Sequence, residues 1–179
     1  IRQYINQGAN LIVTVGFLLA DDTAKFAAEN PDVNFAIVDN SSLGPNVRGL
    51  TFATDQAGFL AGYVAAAATK TGKVATFGGI NIPTVTIFMV GFEAGVKYYN
   101  QQKGTNVQVL GWDTATNNGV FAGTFESTDD GRRIAEEFMS EGADIVMPVA
   151  GPVGLGCARA VQALSLIHLS EPPRLLSLS

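Results

Sequence analysis

The chain has 179 residues, 47% hydrophobic and 15% charged, with 20 glycines. That is globular composition, long enough for one full domain or two small ones. A net charge of −5 leaves no electrostatic footprint for nucleic acid or an anionic membrane, and the single cysteine, Cys157, excludes an intrachain disulfide.

The chain opens without methionine at "IRQYINQGANLIV", already inside a helix-then-strand pattern, so a preceding part is expected. "LIVTVGF" (11–17) reads as a buried strand and "ADDTAKFAAENP" as a helix stopped by Pro31. "NFAIVDN" (34–40) is the next strand, ending on Asp39 and a Ser/Gly/Pro turn. "VRGLTFAT" is a further strand, and "DQAGFLAGYVAAAATKTG" is an alanine-rich helix with Gly72 at its end. Strand "KVATFGG", helix "PTVTIFMVGFEAGVKYYNQ" with Pro83 in its first turn, and strand "NVQVLGW" follow. Residues 113–124 read as a loop. Then come helix "STDDGRRIAEEFMSEG" with Ser127 as N-cap, strand "ADIVMPVAG" and a helix start at "GPVGLGCARAVQA". Continuous apolar strands alternating with helices predict parallel sheets covered on both faces.

"INQGANLIVTVGF" (5–17) and "MSEGADIVMPVAG" (139–151) echo each other: helix end, Gly-Ala-Asn or Gly-Ala-Asp, apolar strand, glycine. Gly8 and Gly142 both suit the left-handed position that ends a helix. Two similarly built α/β lobes are therefore expected, residues 1–70 and 71–163, with a crossover near 70–73. The last stretch, "LSLIHLSEPPRLLSLS", breaks the pattern and resembles a translated sequencing-adapter read-through. Residues 164–179 are expected to be a non-native tail with few contacts, and His168 is set aside as ligand or base.

The glycines of "VMPVAGPVGLGCARA" (146–160) raise the question of a phosphate cradle. Their spacing is G-x-x-G-x-G, not the G-x-G-x-x-G of dinucleotide folds, and "TKTGKV" has Val74 where a phosphate loop needs Ser or Thr. No metal or cofactor set is legible. Cys157 reads as a small apolar packer, and Asp21, Asp22, Asp129 and Asp130 complement helix dipoles. No residues suggest an enzyme. What remains are strand ends, where open parallel sheets bind ligands: Gly16-Phe17, Asp39, Gly78-Gly79, Trp112-Asp113 and Ala150-Gly151, with Phe125 at the same edge. Aromatics, glycines and acids suit a flat, polar-edged neutral or cationic ligand.

Three blocks carry a resemblance: "LIVTVGFLLADDTAKFAAENPDVNFAIVDN", "VRGLTFATDQAGFLAGYVAAAATKTGKVATFGGINIPTVTIFMVGFEAGVKY" and "GTFESTDDGRRIAEEFMSEGADIVMPVAGPVGLG". In order over residues 1 to about 163, they resemble the basic membrane protein family of ABC-transporter substrate-binding lipoproteins, typified by a purine nucleoside receptor. The resemblance implies a type I periplasmic-binding fold of two doubly wound parallel-sheet lobes, incomplete at both ends. It implies a purine nucleoside or similar solute closed between the lobes, and ABC permease and ATPase partners. It further implies an extracytoplasmic location through a lipid anchor, with no cofactor, metal or nucleic acid. Residue by residue, the family's base-reading Asp matches Asp39, its stacking Phe matches Phe125 in "GTFES", and its close-approach Gly matches Gly151. Phe17 and Trp112, taken from the strand ends, are expected to line the same cleft. Residues 112–124 resemble an insertion. The alternative is the effector-sensing domain of a transcriptional or signalling regulator of the same fold.

Overall fold

The computed structural model describes residues 1–163 and 167–168. The chain divides into two compact units, Ile1–Ala53 and the residues from Thr54 onward.

In the first unit, helix α1 (Arg2–Asn6) ends at Gly8, whose φ of 84° is the left-handed turn predicted from the echo. Strand β1 (Leu11–Val15) follows, then a single 3-10 turn over Phe17–Leu19 and helix α2 (Ala20–Glu29), with Asp21 and Asp22 in its first turn. Strands β2 (Asn34–Val38) and β3 (Val47–Leu50) complete a parallel sheet of order β1-β2-β3. Ile12, Ala27, Phe35, Ile37 and Val47 form its core. Two polar devices lock the layer. Thr14 and Thr23 pair hydroxyls at 2.9 Å in the interior, and the Asn46 side-chain amide donates to the carbonyls of Ala27, Asn30 and Val33 at the end of α2. That amide satisfies acceptors a helix end leaves orphaned.

The opposite face of this sheet differs from expectation. Leu11, Val13 and Val15 are 57%, 54% and 70% exposed, and with Ile1, Tyr4 and Leu19 they line a groove of about 530 Å³. The apolar run predicted cover on both faces; among the described residues only one face of β1 is covered.

In the second unit, helix α3 (Thr54–Ala68) leads into strand β4 (Lys73–Gly78), helix α4 (Pro83–Lys103) and strand β5 (Gln108–Leu110). A hairpin of β6 (Trp112–Asp113) and β7 (Asn118–Gly119) follows, then helix α5 (Thr128–Ser140), strand β8 (Ile145–Val149), helix α6 (Gly154–Ala163) and strand β9 (Ile167–His168). The main sheet is parallel with order β5-β4-β8-β9. Val74 and Ile145 pack under α3 and α4, while Ala75, Phe77 and Val146 pack under α5 and α6. This sheet is covered on both faces, as predicted. Ser127 caps α5, its hydroxyl accepting from the Asp130 amide at 3.2 Å, and Pro83 occupies the first turn of α4.

Three expectations meet a different structure. The division falls at 53/54 rather than 70/71, because α3 belongs to the second unit. Its Gly58 and Gly62 interlock with Gly91 and Gly95 of α4, and a Cβ on any of the four would overlap a backbone carbonyl of the other helix. This face-to-face glycine contact brings the two backbones together, the geometry in which Cα–H···O contacts form. Residues 113–124 are not a plain loop: they carry the hairpin, and 120–123 pair with the end of β4. Finally, two residues of the expected tail, Ile167 and His168, pair in parallel with Ile145 and Val146. Strand β8 otherwise presents an open edge there, and an open edge recruits extended chain. The other residues of the expected tail, 164–166 and 169–179, lie outside the described residues.

Candidate functional site

The strand ends of the first unit bring Phe17 and Asp39 to neighbouring positions, because the Gly16 amide donates to the Val38 carbonyl at 3.2 Å. Asp39 ends β2 with its own amide bound to the Leu50 carbonyl at 2.9 Å, so its backbone is held from the adjacent strand. Its φ is 65°, one of two non-glycine residues in the left-handed region among the described residues. The other, Asn117 at 52°, sits in the β6–β7 turn, where such a conformation is routine. Asp39 is half-buried, and its carboxylate has no side-chain hydrogen bond from a described residue. Phe17 is half-buried on the 3-10 turn that follows β1.

In the second unit, Phe125, Gly151 and Gly79 come together. Phe125 is half-buried and packs on the cluster of Val85, Met89 and Trp112, near the start of α4. Its ring lies over Gly79, and Gly151 borders it from the end of β8. Gly151 is exposed with φ 53°, so the β8 turn passes the ring without a side chain.

The segment leading to Phe125 is fixed by register. The Gly78 amide donates to Val120 O at 3.0 Å, Ala122 N to Gly78 O at 2.9 Å and Gly123 N to Gly79 O at 2.8 Å. Residues 120–123 thus extend the sheet beside β4, and Phe125 lies two residues beyond the last of these bonds. Trp112 is 4% exposed, meets Phe121 edge-to-face at 6.3 Å between ring centroids, and donates its indole N–H to the Thr114 hydroxyl at 3.0 Å. It therefore supports the wall from behind and presents no open face of its own.

The hairpin is pinned from α4. Glu93 is 6% exposed, and its carboxylate accepts from the Thr114 amide at 3.1 Å and pairs with Lys97 at 2.6 Å. Asp113 makes the turn, accepting from Ala115 N and the Thr116 hydroxyl, each at 2.9 Å. The Thr116 bond first, then the Ala115 bond, hold its carboxyl below the ordinary value.

Another glycine of the 146–160 stretch, Gly156, has a different task. A Cβ on it would overlap the Thr128 carbonyl, as one on Gly131 of α5 would overlap the Val153 carbonyl, so both serve the packing of α5 against the 151–163 region. Gly151 is the glycine of this stretch that borders the Phe125 ring. Cys157 is fully buried and burial pushes its thiol up to about 12, so it stays protonated at neutral pH. No three His, Cys, Asp or Glu residues cluster to hold a metal among the described residues, and no described helix is long and apolar enough to cross a membrane.

Sequence reasoning placed Gly78-Gly79 at the sheet edge but assigned the pair no role. It missed Phe121, Glu93 and Asn46 altogether. The doublet of glycines ending a buried strand was the signal; which side chains fill the vacated space is set by a segment some forty residues later in the chain.

Residues 1–170 are matched by the family model described as ABC transporter substrate-binding protein PnrA-like. Among curated proteins, the chain is 35% identical over 164 residues to basic membrane protein D of Borreliella burgdorferi, covering 89% of the chain and 45% of that protein. It is 32% identical over 165 residues to basic membrane protein A1 of Borrelia garinii subsp. bavariensis, covering 90% and 45%. The chain thus spans about half the length of the curated relatives it matches. Among solved structures, an ABC transporter system solute-binding protein from Aeropyrum pernix superposes with a TM-score of 0.77 at 27% identity, covering 92% of the chain and 45% of that structure. A transcriptional activator of the comK gene from Bacillus halodurans gives 0.74 at 21%, covering 93% and 53%. At that identity the likeness to the activator is one of fold.

Proposed function

The chain belongs to the PnrA-like family of ABC transporter substrate-binding proteins, and from that premise we propose that the intact protein is the extracytoplasmic receptor of an ABC importer. Its solute is a purine nucleoside or a molecule with the same flat, donor-edged ring. Binding is non-covalent, and the protein hands the solute to a permease and its ATPase from a lipid-anchored position.

The observation that carries this reading is Asp39. A non-glycine residue at φ 65° is strained, and such strain gathers where a side chain must point in one functional direction. The carboxylate it holds out has no described hydrogen-bond donor, so its acceptor capacity is available to a ligand. A base offers N–H groups in the plane of its ring, and a charged acceptor makes bonds roughly twice as strong as a neutral one. Phe125 supplies an apolar ring of the right kind to stack on the base. Gly151 leaves its side of that ring unobstructed by a Cβ. Phe17 is proposed as a further apolar contact, and Trp112 as the support behind Phe121.

The alternative, an effector domain of a regulator, shares the fold, but its solved examples lie at 11–21% identity against 27% for the solute-binding protein. The test is titration calorimetry of the intact protein with inosine, guanosine and adenosine, with free ribose as the control for sugar recognition. Saturable heat with at least one purine nucleoside and none with ribose is expected. A folded protein that binds ribose and no nucleoside would overturn the base-reading assignment of Asp39.

A further inference from the structure

Gly79, buried directly after β4, is not among the glycines with positive φ, so a left-handed backbone does not explain a glycine there. Space does. A Cβ built on Gly79 would stand 2.5 Å from Phe125 Cδ1, nearer still to Cε1, and 3.0 Å from the Thr124 carbonyl oxygen. On the adjacent Gly78, a Cβ would stand 2.6 Å from Phe121 Cδ1 and 2.7 Å from Val85 Cγ1. The two glycines are therefore seats for two rings of one inserted segment: Phe121 settles into the interior, against Trp112, and Phe125 lies across Gly79 toward Gly151. The backbone of this segment cannot retreat, because Ala122 and Gly123 are bonded to the carbonyls of Gly78 and Gly79 themselves.

We propose that Gly79 is a positioning residue that sets the depth and tilt of the Phe125 ring, and through it the plane on which a ligand ring stacks. The proposal rests on the reading of Phe125 as the stacking surface. A methyl group at 79 meets first the Cδ1–Cε1 edge of a ring that can turn about its side-chain bonds, and the Thr124 carbonyl oxygen only at 3.0 Å, so the ring is displaced before the backbone. The consequence is a loss of recognition without a comparable loss of stability. A residue that only fills the core would show the reverse.

The experiment is a double-mutant cycle in the intact protein: Gly79→Ala, Phe125→Leu and the pair, each titrated with guanosine and inosine. Gly79→Ala is expected to weaken binding by about tenfold, the scale of losing a base–aromatic stack, with the urea midpoint close to that of the parent. In the Phe125→Leu background it should weaken binding by less than twofold, since the ring it acts on is gone. Equal losses in both backgrounds, or none in either, overturn the proposal. A ligand-free readout separates this from failure of the functional reading. In protein labelled with 4-fluorophenylalanine, the 19F signal that disappears in Phe125→Leu should shift in Gly79→Ala. If the parent binds no nucleoside, the nucleoside reading falls and this signal alone decides the seat: a shift supports it, and an unmoved resonance overturns it.

Discussion

Replacing Asp39 by glycine should raise stability or leave it level while removing most of the ligand affinity. At φ 65° a residue with a Cβ costs roughly 1–2 kcal/mol relative to the right-handed region, with aspartate at the low end. Glycine removes that strain and adds about 0.5–1 kcal/mol of chain entropy to the unfolded state. The carboxylate has no described partner whose loss would subtract from the balance. The sum is a change between zero and a gain of about 1 kcal/mol. Binding moves the other way, because the base N–H groups lose a charged acceptor, worth about 1.5–3 kcal/mol or roughly ten- to a hundredfold in Kd. Asp39→Asn separates the two effects: it keeps the shape and one acceptor, so it should retain the strain and lose part of the affinity. Thermal melts without ligand and calorimetry with inosine measure both quantities on the same samples. A fall of more than about 1 kcal/mol in the stability of Asp39→Gly would refute the reasoning, since the carboxylate would then be holding the fold together.

Two further predictions concern the frame. Gly62→Ala gains about 1 kcal/mol of helix propensity, yet its methyl overlaps the Phe92 backbone carbonyl, and overpacking typically costs about 1–3 kcal/mol. The balance is a net loss of up to about 2 kcal/mol by urea unfolding, and a stabilised variant would mean that α3 and α4 are not in backbone contact. Asp144 accepts from the Thr69 hydroxyl at 2.5 Å and from the Lys70 and Thr71 amides at 2.6 and 3.1 Å. Burial pushes its pKa up, but these bonds together outweigh burial and leave it below the ordinary value. A depressed folded pKa adds stability above the unfolded value of about 3.9 and loses it as pH falls through the lower folded one. Asp144→Asn should therefore cost about 1–2 kcal/mol at pH 7, allowing for partial exposure, and the gap should close below about pH 4. A gap that persists unchanged at pH 3 would assign the loss to shape rather than charge.

Local chemistry was legible in the sequence. Gly8 and Gly142 were readable as left-handed helix ends from the Gly-Ala-Asn and Gly-Ala-Asp echo, and both have positive φ. The Ser127 cap, Pro83 in the first turn of α4 and the parallel strands follow from turn chemistry and apolar runs, which depend on near neighbours. The position of Asp39 at the end of β2 was readable for the same reason; its strained φ was not, because the bond to Leu50 O comes from the next strand. Tertiary structure alone decided the rest. Gly62, inside the alanine-rich helix, and Gly156, in the glycine-rich 146–160 stretch, are packing surfaces against helices elsewhere in the chain. The hairpin in the 113–124 segment is pinned by Glu93 of α4, which accepts from the Thr114 amide. Phe125 faces Gly151 because residues 120–123 lie in register with β4. A glycine shows in the sequence that space is needed. What fills that space depends on which backbone or ring the fold brings within about 4 Å, the range of van der Waals contact, and no local pattern encodes that.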